Sequence, residues 1–254
     1  MAERRQFDDV LNAFRQGEID EAEAGARILE VFYEGKEHFL LDMEREKRVG
    51  FPEVVYAEGK RMGDLLDIVT RMLESAGKAY IASLTPDAVQ KLQETFHSHR
   101  IRTGGRAMVI GDTATAEPLG KVGIITAGTS DVPYAEESVL LLEELGAEVV
   151  RSYDSGVAGI HRPFMSLEKM AGVSAIIVFA GMEGALPTVL ASLTDLPVIA
   201  VPTPVGYGFG GQGEAALKTM LQSCSPGVCV LNIGNSVGAA AAAVRVLRSI
   251  RKSR

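Results

Sequence analysis

The chain has 254 residues, 46% of them hydrophobic and 23% charged, enough to bury a core in one large unit or two modest ones. That composition excludes a disordered or fibrous chain, and a net charge of −7 excludes a broad basic surface for nucleic acid. An acidic balance still permits a nucleotide ligand, because a few backbone N–H groups at a helix start bind phosphate whatever the net charge.

The opening residues, Met1 to Gln6, lack the apolar core of a signal peptide. The small-residue run Val237 to Val246 is broken by Arg245 and is too short for a membrane span. A cytoplasmic protein without membrane partners is expected. Two cysteines, Cys224 and Cys229, make neither a disulfide framework nor a four-ligand zinc site, and their spacing is not the C-x-x-C redox pattern.

Asp8–Gln16 and Glu18–Phe32 carry apolar residues at helical spacing, among them Val10, Leu11 and Phe14, then Ala22, Ala26 and Leu29. The hinge Arg48–Glu53 stops any helix, since Pro52 disfavours helix at the residue before it. Val54–Tyr56, Ala79–Ala82 and Ala107–Ile110 read as strands, with helices over Met62–Ser75 and Pro86–Phe96. Residues 1–118 are therefore expected to form a small α+β domain, joined by the linker Thr113–Gly120 to a second domain over 119–254.

From Lys121 strands and helices alternate strictly. Strands are expected at Val122–Thr126, Glu148–Arg151, Ala175–Phe179, Pro197–Val201 and Val228–Ile233. Helices are expected at Pro133–Leu145, Pro163–Ala171, Leu186–Leu193, Glu214–Ser223 and Val237–Arg251. Short Val/Ile-rich strands, apolar throughout, suit a sheet covered by helices on both faces. Right-handed crossovers wind five such strands into an α/β three-layer sandwich, with the flavodoxin-like order 2-1-3-4-5.

Each strand is followed by a loop rich in glycine and polar residues, and in an open parallel sheet those loops share the carboxyl edge, where ligands bind. The first, Gly128-Thr129-Ser130-Asp131, has two readings. Asp131 is either an N-cap with Pro133 in the first turn, or part of a phosphate, ribose or metal-water site. It is neither a dinucleotide fingerprint nor a P-loop. His161 and Arg162 follow the second strand and suit proton transfer and phosphate clamping, or plain surface decoration. His38, His97 and His99 sit in charged context and are expected to face solvent. Glu183, in the turn Gly181-Met182-Glu183-Gly184, is either a helix-start charge or a general base or Mg²⁺ ligand. Gly210 and Gly211 follow the fourth strand, and Asn232 and Asn235 follow the fifth.

Cys224 closes the helix Glu214–Ser223. It is either a small buried hydrophobe or a nucleophile. The helix C-terminus disfavours a thiolate there, so the second reading needs nearby positive charge. Cys229, inside the last strand, is expected in the core.

Read together, Gly128–Asp131, Gly181-x-x-Gly184-Ala185-Leu186-Pro187 and Leu196–Pro202 resemble the PurE family of aminoimidazole ribonucleotide carboxylases and mutases. Arg48–Lys60, Gly156–Arg162 and Ser223–Val228 resemble its LarB branch, which makes a precursor of the nickel-pincer nucleotide. The LarB resemblance spans nearly the whole chain. It implies a PurE-like carboxylase domain that acts on nicotinic acid adenine dinucleotide with CO₂ or bicarbonate as co-substrate. The products would be pyridinium-3,5-biscarboxylate mononucleotide and AMP. It further implies Cys224 as the residue adding to the pyridinium ring and Glu183 as proton acceptor. Ser130, Arg162 and loop N–H groups would hold phosphates, with Mg²⁺ assisting (candidate ligands Asp131 and Glu183), in a homo-oligomer, an octamer by resemblance. Two departures stand out: Gly234 and Ser236 replace an expected aspartate and glycine, and Phe209–Glu214 is rearranged. The alternatives are a PurE-type carboxylase or mutase, with His161 in the proton relay, or a non-catalytic nucleotide-binding module.

Overall fold

The computed structural model describes residues 2–32, 34–36, 39–42, 44–112 and 117–252. His38 and the first half of the expected linker, Thr113–Ala116, lie outside the described residues. Helices α1 (Ala2–Arg15) and α2 (Glu21–Phe32) pair through a small cluster of Val10, Ile19 and Ala24. The Asp20 carboxylate caps α2 by accepting from the Glu23 amide at 2.8 Å. A hairpin, β1 (Glu34–Lys36) and β2 (Phe39–Leu41), follows, and then α3 (Arg45–Val49). α3 stops at Gly50, which takes a left-handed conformation, in the stretch where the sequence predicts a break.

Next come β3 (Val55–Tyr56), α4 (Met62–Ala76), β4 (Lys78–Ala82), α5 (Pro86–Thr95), β5 (Ile101–Gly104) and β6 (Ala107–Gly111). They form a four-stranded sheet of order β3-β4-β6-β5, parallel at the first pair and antiparallel elsewhere. One face packs on α4 and α5, through Leu65, Ile68, Val69, Met72 and Leu92. β5 and the β1–β2 hairpin escape a sequence reading because they are only three or four residues long, and β1 and β5 carry charged or polar residues.

The second half alternates as the sequence predicts. It runs β7 (Gly120–Thr126), α6 (Val132–Glu144), β8 (Ala147–Ser152), α7 (His161–Lys169), β9 (Ile176–Ala180) and α8 (Leu186–Ala191). It ends with β10 (Val198–Pro202), α9 (Glu214–Leu221), β11 (Val228–Val230) and α10 (Ser236–Lys252). The five strands are all parallel, in the order β8-β7-β9-β10-β11, which is the expected 2-1-3-4-5. Side chains alternate across this sheet. Ile124, Ile177, Phe179 and Val201 face α6 and α10, whereas Ile125, Ile176, Val178 and Ala200 face α8 and α9. In α10 the alanines let the helix approach the sheet within its own chain: Ala239, Ala240 and Ala243 are fully buried.

α6 joins the two halves. The apolar cluster around Leu140, Leu141 and Leu142 continues through Tyr80, Ala107 and Val109 of the four-stranded sheet. A helix with a sheet on each side is buried nearly all round. Its carboxylates at Glu137 and Glu144 are correspondingly enclosed, and both meet cations of the N-terminal unit.

Candidate functional site

The loops that follow the parallel strands are tied to one another through backbone hydrogen bonds. The Ala127 amide donates to Phe179 O at 2.9 Å, Ser155 N to Thr126 O at 2.8 Å, and Met182 N to Val205 O at 2.9 Å. Gly234 N donates to Pro202 O at 2.8 Å. Loop order thus follows strand order, and residues far apart in sequence share one rim.

At the rim's centre sits Asp131, only 3% exposed. Its carboxylate reaches back to accept from the Gly128 amide at 2.8 Å and also accepts from the Thr203 hydroxyl at 2.5 Å. Burial pushes the Asp131 carboxyl upward; the Thr203 hydroxyl and the amides of Gly128 and Gly181 oppose that shift. The N-cap expectation is therefore corrected, since no α6 amide is bonded to the Asp131 side chain. Asp131 instead locks three loops together. Thr203, 72 residues away, is the partner that sequence reasoning missed, and no local spacing signals it.

Gly181 is required by the same closeness: a Cβ there would lie 2.1 Å from Val205 O and 2.8 Å from the Thr203 hydroxyl. Its neighbour Met182 and, across the rim, Asp154 are non-glycine residues held at positive φ, 49° and 55°. Such strain persists where surrounding structure over-determines the backbone, often around functional sites. Outward from this floor, Thr129, Ser130, His161, Arg162 and Glu183 are all exposed. Arg162 pairs with Asp154 at 3.2 Å. Below the rim, the buried hydroxyls of Ser152, Ser155 and Ser166 bond to one another and hold the β8–α7 loop.

Gly184 is buried against α9, and Gly210 and Gly211 end a short turn whose Phe209 and Tyr207 side chains project into solvent. Asn232 and Asn235 belong to the β11–α10 turn. The Asn235 carboxamide oxygen accepts from Gly238 N at 2.8 Å, so this residue caps α10. His97 and His99 are exposed, as expected.

Cys224 is exposed, so it is not a small buried hydrophobe. It lies in the turn between the end of α9 and the start of β11, hence at the amino edge of the sheet. That edge is a strand's length, roughly 15 Å, from the rim of the same chain. The loops and the thiol therefore do not form one pocket in a single copy. Cys229 is also exposed, which corrects the core expectation: it lies on β11, an edge strand of the sheet. Among the described residues no group of three or more His, Cys, Asp or Glu side chains is arranged to hold a metal. Each Asp131 oxygen already accepts one hydrogen bond within the rim, and Glu183 is exposed. A cavity of about 710 Å³ lies elsewhere, at the seam of the two halves beside Lys78, Glu144 and Arg248.

No helix among the described residues is long and apolar enough to cross a membrane. Comparison with known proteins gives two family matches: AIR carboxylase over residues 121–253, and the LarB/PurE-like N-terminal domain over residues 33–112. Along its whole length the chain is similar to the uncharacterized protein MJ0165 of Methanocaldococcus jannaschii, 40% identical and covering 96% of this chain and 98% of that protein. The N5-carboxyaminoimidazole ribonucleotide mutase of Saccharolobus solfataricus is 33% identical over 51% of this chain and 82% of its own length. That of M. jannaschii is 37% identical over 47% of this chain and 72% of its own length. With the parallel sheet and its tied rim behind one match and the added N-terminal sheet behind the other, the chain belongs to the AIR carboxylase (PurE) family, as a LarB-type member.

Proposed function

We propose that this LarB-type member carboxylates the pyridinium ring of nicotinic acid adenine dinucleotide at C5 and hydrolyses its phosphoanhydride, with CO₂ as co-substrate. The observation that carries the reading is the exposed thiol of Cys224, set on a turn outside the core in a chain with the LarB/PurE-like N-terminal domain. Ring addition follows from charge: a cationic pyridinium offsets the unfavourable helix end and accepts the sulfur as electrophile. The thiolate forms a bond to C4 and the ring nitrogen takes up the electron pair. The resulting enamine attacks CO₂ through C5, Glu183 accepts the C5 proton, and departure of the sulfur restores the aromatic ring.

In this reading the site is shared between copies, the Cys224 turn of one facing the rim of another. Exposed apolar side chains on both surfaces support that pairing: Leu221 beside the thiol, and Ile160, Phe164, Met165 and Phe209 around the rim. Ser130 and Arg162, both exposed at the rim, hold the phosphates in this reading. Full-length protein given the dinucleotide and bicarbonate, with and without Mg²⁺, is expected to release AMP and a mononucleotide heavier by one carboxylate. Cys224→Ala is expected to abolish carboxylation, and activity surviving in that variant would refute the covalent role.

A second reading, mutase chemistry on N5-carboxyaminoimidazole ribonucleotide, is favoured by the exposed His161 at the rim and by the names of the shorter relatives. Turnover of that ribonucleotide separates the two, since only the second reading predicts any.

A further inference from the structure

The N-terminal unit touches the rim at one polar cluster, and its geometry gives that unit a task. In the β5–β6 turn, Gly105 takes φ +55° and lies so close to the first turn of α6 that a Cβ would sit 2.0 Å from Pro133 O. The next residue, Arg106, sends its side chain between the two halves. It donates to the Ser83 hydroxyl at 2.9 Å, and its guanidinium lies 4.7 Å from the centre of the Tyr134 ring. Its Nε stands 3.6 Å from the Glu137 carboxylate, just beyond hydrogen-bond length. Glu137 is 1% exposed and accepts from Ser83 N at 2.9 Å. Ser83 itself is buried and held at φ +57°. A strained, charged cluster of this kind costs stability and persists only where the surrounding structure holds it.

What it fixes lies on the far side of Tyr134. The ring edge backs Gly234, where a Cβ would meet Tyr134 Cε1 at 3.4 Å. Gly234 belongs to the β11–α10 turn, whose amides are bonded as Gly234 N to Pro202 O and Asn235 N to Asn232 O. The Ser236 carbonyl accepts from the Ser138 hydroxyl of α6 at 2.7 Å. We propose that Arg106 is a positioning residue: through Tyr134 it lets the N-terminal unit set the conformation of the rim segment Asn232–Ser236. Arg106 lies outside the stretch matched by the AIR carboxylase model, so the control comes from the unit added to that fold.

The test is hydrogen exchange of the full chain without substrate, so it does not depend on which reaction the rim performs. Arg106→Met combined with Glu137→Gln removes both charges at once and keeps an acceptor for Ser83 N and for the Ser236 hydroxyl, which Glu137 also faces. It is expected to speed exchange of the 234–239 amides at least about tenfold, while the β9 amides of Ile176–Ala180 stay as in the wild type. Tyr134→Phe keeps the ring and is expected to match the wild type. Tyr134→Leu breaks the strut at its other end without touching the ion pair, and gives the same local loss should the double variant fail to fold. Wild-type exchange over 234–239 in a folded double variant, or in folded Tyr134→Leu, would overturn the proposal. A consequence for the dinucleotide, which rests on the proposed reaction, is a roughly tenfold higher KM in Tyr134→Leu with kcat far less changed.

Discussion

Asp131 illustrates how a single side chain makes a rim out of separate loops. As an ionised carboxylate it is an acceptor only, and it meets donors from three loops, Gly128 N, the Thr203 hydroxyl and the Gly181 amide. An amide at the same place has one acceptor oxygen and an NH₂ that faces one of those donors. Asp131→Asn is therefore expected to cost roughly 1–3 kcal/mol, read as a lower urea midpoint with an unchanged m-value. Gly181→Ala tests the closeness directly. A methyl group 2.1 Å from Val205 O forces the β9 and β10 loops apart, at a cost of about 1–3 kcal/mol or more. An unchanged melting temperature in that variant would mean that the loops are not tied as described. Neither contact is written in local sequence. The Gly128–Asp131 motif marks the carboxylate, but its partner Thr203 looks like any polar residue before a proline.

At the scale of elements, α6 decides how the two halves hold together. Burial alone raises the Glu144 carboxyl, but hydrogen bonds from Lys78 and Arg102 outweigh it and hold the group below its ordinary value of 4.5. Glu143 is lowered in the same way by Arg151 and Arg102. A carboxyl depressed on folding contributes stability above its unfolded value and loses it as pH falls through the folded value. Glu144→Gln leaves Lys78 facing a neutral group and is expected to cost about 3 kcal/mol at neutral pH. The gap between variant and wild type should narrow below pH 4.5, as measured by urea unfolding at both pH values. A gap independent of pH would contradict the pairing. The strands of the parallel sheet were legible because helices cover both faces and leave runs of Val and Ile. α6 was legible as a helix over Pro133–Leu145, but nothing in its sequence announces a second sheet behind it. β5, Ile101-Arg102-Thr103-Gly104, carries an arginine that serves α6, so it lacks the apolar pattern that would mark a strand.

For the molecule as a whole, the parallel sheet and its order followed from the alternation of strand and helix, and the gathering of loops at one edge followed from the fold. What did not follow was that Cys224 stands at the opposite edge from those loops. A reading that unites them needs a second copy of the chain, and light scattering of the wild-type protein is expected to give a mass several times the 27.1 kDa of one chain. A monomer at working concentration would leave thiol and rim apart. The most direct measurement is complementation between two defective chains. Cys224→Ala keeps the rim, and Asp131→Asn with Glu183→Gln keeps the thiol. Each homo-oligomer alone is predicted to make no carboxylated mononucleotide from nicotinic acid adenine dinucleotide, and co-expressed mixed oligomers are predicted to regain a measurable share of wild-type turnover. Mixed oligomers that stay inactive beside an active wild type, or full activity in Cys224→Ala alone, would contradict a site shared between copies.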